Sequence, residues 1–272
     1  MDIVGYLLAT IVGISLGLIG SGGSILTVPI LVYVMGISPV LATAYSLFIV
    51  GSTALVGGVQ SAMQKKVDFK TVLIFGIPSI AAVYATRMWL MPLIPQELFS
   101  IGSLVISKPI ALMLLFAVVM ILASISMIRN GKNTEEANEN APMQYNYPMI
   151  LLEGLVVGLL TGLVGAGGGF LIIPALVLLA KMPMKLAVGT SLLIIAAKSL
   201  IGFMGDVQGS QVIDWKLLTS FTAFAVVGIF IGIFLSKRVP ADKLKKAFGW
   251  FVLVMGIYII IKEIFFPSGG GH

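Results

Sequence analysis

Eight apolar runs, near residues 3–35, 40–64, 69–94, 107–128, 149–180, 185–207, 215–236 and 243–266, leave this chain little choice of solvent. A helix needs roughly 18 or more consecutive apolar residues to cross ~30 Å of hydrocarbon, and these runs reach that length. Only 10% of residues are charged and the mean hydropathy is +1.10. A soluble domain carries about 25% charge to cover its water-facing surface. The expected fold class is therefore an all-α integral membrane protein. A β-barrel would alternate polar and apolar residues in segments of ~10. The net charge of +6 is then expected in cytoplasmic loops, with no nucleic-acid partner implied. With zero cysteines, the chain has no disulfide, thiol or cysteine–metal chemistry. Met1-Asp2 opens without a basic region, and its apolar run has a counterpart in mid-chain, so it is read as structural rather than as a cleaved signal. The tail at residues 268–272 is set aside.

The runs fall into two copies of one unit. "GLIGSGGSILTVP" (residues 17–29) returns as "GLVGAGGGFLIIP" (162–174), and at a constant offset of 145, residues 17–32 and 162–177 match at nine of 16 positions. The register continues through Leu41/Leu186, Ala42/Ala187 and Ser46/Ser191, and "VDFK" at 67–70 echoes "IDWK" at 213–216. Residues 1–128 form the first repeat and 149–266 the second. The polar stretch 129–148, acidic in its middle and closed by Pro148, reads as a linker between them.

The first run of each unit is too long for one untilted span and breaks at its glycines into arms of roughly 17 and 12 residues. At ~1.5 Å per residue the second arm reaches only part-way across. Loop charges decide between an interrupted span and a hairpin. Setting aside Arg87 and Lys198 inside apolar runs leaves 15 Lys and Arg. Eight simple crossings split them seven to eight, whereas letting each broken run return to its own side splits them twelve to three. The positive-inside rule selects the hairpin. Each repeat is then a broken re-entrant helix hairpin plus three transmembrane helices, an odd number, so the second copy is inverted. Both termini lie outside and the linker in the cytoplasm of a multi-pass cell (plasma or inner) membrane protein. Inverted repeats with broken helices mark transporters that bind substrate near the midplane.

Unwound backbone inside a bilayer survives only where protein buries it or a cavity hydrates it. Glycine permits the sharp turn and positive φ. The short helix beyond the turn presents unpaired N–H groups and the positive end of its dipole, a site for anions. Gly20, Gly22, Gly23 and Ser24 would supply this in the first tip, and Gly165, Gly167, Gly168 and Gly169 in the second. The competing reading of any such cluster is close helix packing through small residues. No Gly-Lys-Ser/Thr comes after it, which excludes a nucleotide-binding loop.

Lys198, in "LLIIAAKSLIGF", is a charge in mid-membrane that must line a cavity, snorkel, or pair with Asp206 or Glu153. Lining the cavity as the anion's partner is the favoured role. Arg87, with Trp89 close by, is expected to snorkel at the outer interface, and Glu153 to sit at the other. Thr43, Tyr45, Ser46, Thr190, Ser191, Ser52, Thr53 and Gln60 are further polar candidates. Such hydroxyls often only bond a carbonyl one turn back. The repeat-related pair Ser46/Ser191 is preferred among them.

These glycine segments, each leading into a small-residue helix ("LATAYS", "LAVGTS"), resemble the TauE/SafE sulfite exporter family over nearly the whole chain. The resemblance implies export of a small anionic substrate of the sulfite, thiosulfate or sulfonate class, without cofactor or metal. The first tip has Ser21 and Ser24 where the second has Ala166 and Gly169, so the two tips need not bind alike. The alternative function is proton- or sodium-coupled uptake of such an anion. An enzyme is not expected, because the sole histidine is His272 and no carboxylate pair lies mid-membrane.

Overall fold

The computed structural model describes residues 2–19, 24–101, 104–129, 147–178, 182–208, 213–236 and 241–265. The first half contains α1 (Asp2–Ile19), α2 (Ser24–Val34), α3 (Pro39–Met63), α4 (Phe69–Leu93) and α5 (Lys108–Arg129). The second contains α6 (Tyr147–Val164), α7 (Gly169–Leu178), α8 (Met184–Val207), α9 (Trp215–Ser236) and α10 (Ala241–Phe265). The second over-long apolar run is thus split where its glycines stand, between Val164 and Gly169, while residues 20–23 of the first lie outside the described residues. Between α5 and α6 the helices close in to Arg129 and Tyr147, and the rest of the expected linker lies outside the described residues.

The fold departs from all-α at one place. Glu97–Ile101 (β1) and Leu104–Ser107 (β2) pair antiparallel, with Ser100 opposite Val105 and Ile101 opposite Leu104. These short stretches mix β-branched and polar residues outside the apolar periodicity of the spans.

Among the described residues, five helices are long and apolar enough to cross a bilayer: α3, α4, α5, α8 and α9. Their outward faces carry Leu73, Ile77, Leu122, Phe230 and Phe234, while Thr43, Ser46, Lys198 and Ser199 point inward and are buried. Apolar outside with polar inside suits a lipid solvent and fits a multi-pass membrane protein.

The helices pack across the halves. α1 lies along α9 and α6 along α4; α3 lies against α8, and α5 against α10; α4 also touches α8 as α9 touches α3. Exchanging the halves, α1 for α6 and so on, returns the same set of pairs. Two glycine seams carry the closest of these contacts. Gly13 and Gly17 on α1 meet Gly228 and Gly232 on α9, where an added Cβ on Gly232 would lie 2.8 Å from the Gly17 Cα. On the other side Gly154, Gly158 and Gly162 of α6 face Phe75, Ser79 and Thr86 of α4. The leading glycines of the repeated motif, Gly17 and Gly162, therefore serve close packing, as small residues do between membrane helices.

The "VDFK" and "IDWK" echoes are helix caps. Asp68 accepts from the N–H groups of Lys70 (3.3 Å) and Thr71 (3.2 Å), and Asp214 from that of Leu217 (3.0 Å). Each cap is tied to the opposite half: the Asp68 N–H donates to Thr190 Oγ1 (2.9 Å), and the Asp214 N–H to the Tyr45 hydroxyl (2.7 Å). Tyr45 and Thr190, both substrate candidates on sequence, thus fix the entry of α9 and α4. At the end of α2, Gly36 turns the chain at φ +69°, and the Met35 side chain returns to the start of α1, its Cε 3.3 Å from where a Cβ on Gly5 would sit.

Candidate functional site

The second break is built from three glycines in left-handed conformation, Gly165 (φ +74°), Gly167 (+67°) and Gly168 (+63°). Only glycine adopts this without strain. Space forbids a side chain as well. A Cβ on Gly165 would overlap the Thr43 backbone, and one on Gly167 would lie 2.6 Å from Val50 Cγ1. One on Gly168 would fall on Thr161 Oγ1 and 2.8 Å from Lys198 Nζ. The Gly168 carbonyl accepts from Leu171 (3.1 Å) and Ile172 (3.2 Å), which starts α7 at Gly169 with its N-terminus at the break. The break is thus clasped between α3, which supplies Thr43 and Val50, and α8, which supplies Ile195 and Lys198.

α2 reaches the same place. The Cβ of Ser24, at its first residue, is 3.4 Å from the Cβ position of Gly167. Ser24 is buried. Gly20, Gly22 and Gly23 lie outside the described residues. Ser46 stands three residues after Thr43 and four before Val50, on the stripe of α3 that faces the break. Its hydroxyl is buried and has no hydrogen-bond partner among the described residues. Ser191 is one turn before Ile195 on α8, and its hydroxyl donates to the Val188 carbonyl (2.9 Å). Thr53 likewise bonds back to Ile49 (2.7 Å). Gln60 leaves its Oε1 buried and unpaired among the described residues.

Lys198 is fully buried and its ammonium donates to Thr161 Oγ1 (2.9 Å). It pairs with neither Asp206 nor Glu153: among the described residues no carboxylate lies within ion-pair distance of it. Thr161 gives no sign of itself in the sequence, a lone hydroxyl one turn before the glycines. The crevice lined by Thr161, Gly168 and Leu171 leaves no room for a water molecule.

Arg87 overturns the interfacial expectation. It is 2% exposed while Trp89 is 63% exposed. Arg87 continues the buried stripe of α4 set by Phe75, Ser79 and Val83 at a spacing of four, whereas Trp89, two residues on, lies ~200° around the helix. Arg87 Nη1 donates to Thr43 Oγ1 (3.1 Å) and pairs with Asp206 Oδ1 at 3.4 Å. A second unforeseen buried charge, Glu263, accepts from the Tyr33 hydroxyl (2.9 Å).

A glycine break beside a buried cation, inside a helical membrane protein, goes with a match to a known family. The family model for the sulfite exporter TauE/SafE covers residues 6–259. The chain belongs to this family. A "Probable membrane transporter protein" of Xylella fastidiosa strain 9a5c is 29% identical over 92% of this chain and 91% of its own length. The similar proteins YunE of Bacillus subtilis (26% identical; 95% of this chain, 97% of its own) and MJ0441 of Methanocaldococcus jannaschii (26%; 95% and 94%) carry the same description. No solved structure matches the chain. As a TauE/SafE protein it is a multi-pass membrane transporter, and the buried cations are charges held inside a transporter.

Proposed function

We propose that this TauE/SafE protein exports a small anion of the sulfite, thiosulfate or sulfonate class, held near the bilayer midplane between the two glycine breaks. The observation that carries the reading is the Lys198 ammonium, buried without a carboxylate among the described residues and set against Gly168. A buried charge must be compensated. An anion at the start of α7 would meet that ammonium, the Thr161 hydroxyl and the positive end of the helix dipole together. The approach of Ser24 to Gly167 supports a share for the first tip in the same site.

Inverted, re-entrant repeats suit this reading. An uninterrupted crossing helix would hold Gly5 and Met35 ~45 Å apart at ~1.5 Å per residue. Their contact, the exchange symmetry of the helix pairs and the loop charges all favour arms that enter and leave on one side. Export of a monoanion from a negative-inside cell gains ~2.3 kcal/mol per 100 mV, so no coupling ion is required. Proton-coupled uptake would call for a titratable carboxylate against the Lys198 ammonium, and among the described residues none lies within ion-pair distance of it.

Two measurements test the proposal. Thermal stabilisation of the purified protein should be largest with sulfite, thiosulfate or sulfoacetate and small with phosphate. A ligand at 100 times its Kd adds about 2.7 kcal/mol of stability. Stabilisation by phosphate alone would refute the sulfur-anion class. Because the chain has no cysteine, single cysteines at positions 37 and 182 can be labelled one at a time. They should react with impermeant reagents from opposite sides of the membrane, and labelling from one side would refute inversion.

A further inference from the structure

A chamber of about 380 Å³ lies where the start of α3, the end of α4 and the end of α8 meet, walled by Arg87, Lys108, Asp206, Gln96 and Gln208. Two cations face one carboxylate there. Lys108 is 6% exposed, and its ammonium donates to the carbonyls of Met91 and Ile94 (3.5 Å to the latter). Arg87 uses only Nη1 for Thr43 and Asp206, while its Nε and Nη2 are buried with no hydrogen-bond partner among the described residues. Those two nitrogens form the side-on edge of the guanidinium, the pair of parallel donors that grips two oxygens of one oxyanion. A purely structural ion pair would be expected to use that edge. Here Asp206 makes a single 3.4 Å contact and leaves its own Oδ2 unpaired among the described residues. Buried charged donors without acceptors are a standing cost that a ligand can relieve.

The chamber also adjoins the glycine break. Thr43 accepts from Arg87 on one side, and its backbone lies against Gly165 on the other. One residue separates the two.

We propose that the chamber is a second anion site: a turn of the Arg87 side chain, which is closed off from the chamber as it stands, sets its side-on edge against one small oxyanion, and Lys108 adds its charge, before or after passage through the breaks. The order of passage rests on the reading of the breaks as the transport site; the binding itself does not.

Equilibrium dialysis of radiolabelled sulfite against the full chain in detergent tests this. Wild type should bind two per chain, and Lys198→Met should keep one, in the chamber. The double variant Arg87→Gln/Asp206→Asn, which removes the ion pair as a unit, should keep the other. Arg87→Lys, with the charge but not the fork, should weaken the chamber site at least tenfold. Unchanged binding by the double variant or by Arg87→Lys overturns the chamber site and leaves the central one standing. A single site that is lost in the double variant and indifferent to Lys198→Met upholds the chamber and overturns the central reading. A monodisperse elution profile for each variant shows that a lost site is not a lost fold.

Discussion

Lys198→Met should lower sulfite flux in proteoliposomes by at least about 20-fold, while the protein becomes no less stable. The two halves of this expectation come from the same contact. The ammonium is fully buried and held by one neutral hydroxyl, Thr161 Oγ1. Without ligand, that is an ion removed from water with little in return, and its replacement by an apolar side chain of similar length should be neutral or stabilising. With the anion bound, the same ammonium supplies a charge-assisted bond in a dry site, and truncating one partner of such a pair costs about 2–5 kcal/mol. At ~1.4 kcal/mol per tenfold, the lower end of that range already exceeds a factor of 20, and its middle exceeds 100. A lysine with only a structural role would give the opposite pattern, with flux retained and stability lost. Flux measured beside a thermal unfolding curve separates the two, and wild-type flux in the variant would remove Lys198 from the site.

Much of this architecture is legible in the sequence because the bilayer restricts what a chain can do. The run at 215–236 is α9 at Trp215–Ser236, and 185–207 is α8 at Met184–Val207. The glycines at 165, 167 and 168 can be read as a turn because positive φ has few other tenants. What stays hidden depends on register and partners. Hydropathy assigns Arg87 to the interface because the carboxylate that holds it inside, Asp206, lies 119 positions away. Tyr45 and Thr190 look like substrate hydroxyls, yet each accepts from a capped helix start in the other half. Such a contact between residues 169 or 122 positions apart is invisible to local pattern. Spacing groups Gly17 and Gly162 with the tip glycines, whereas their neighbours across the seam give them a packing role.

Gly228→Leu should be among the most destabilising single changes on the glycine seams. At this position of α9 an added Cβ falls on the Thr10 carbonyl and 3.0 Å from the Gly13 Cα, both backbone, so no side-chain rotation can make room. α1 must move away from α9 as a body. That opens the neighbouring contacts of Gly17 with Gly232, where the backbones are as close. Overpacking a rigid interface costs about 1–3 kcal/mol and sometimes more. In membrane helices, where close packing itself drives association, the upper end is expected. At about 2–4 °C per kcal/mol for a chain of this size, the unfolding midpoint in detergent should fall by about 6–12 °C. Flux should fall too, because α1 leads into the first break and a shifted α1 carries Ser24 away from Gly167. Gly76→Ala provides the contrast. It lies within α4, yet a Cβ there meets nothing within 4 Å. Relief of glycine's helix penalty should raise stability by about 0.5–1 kcal/mol. If Gly228→Leu instead unfolds with the wild-type midpoint, α1 and α9 do not pack backbone to backbone, and the exchange symmetry that supports an inverted repeat loses one of its two seams.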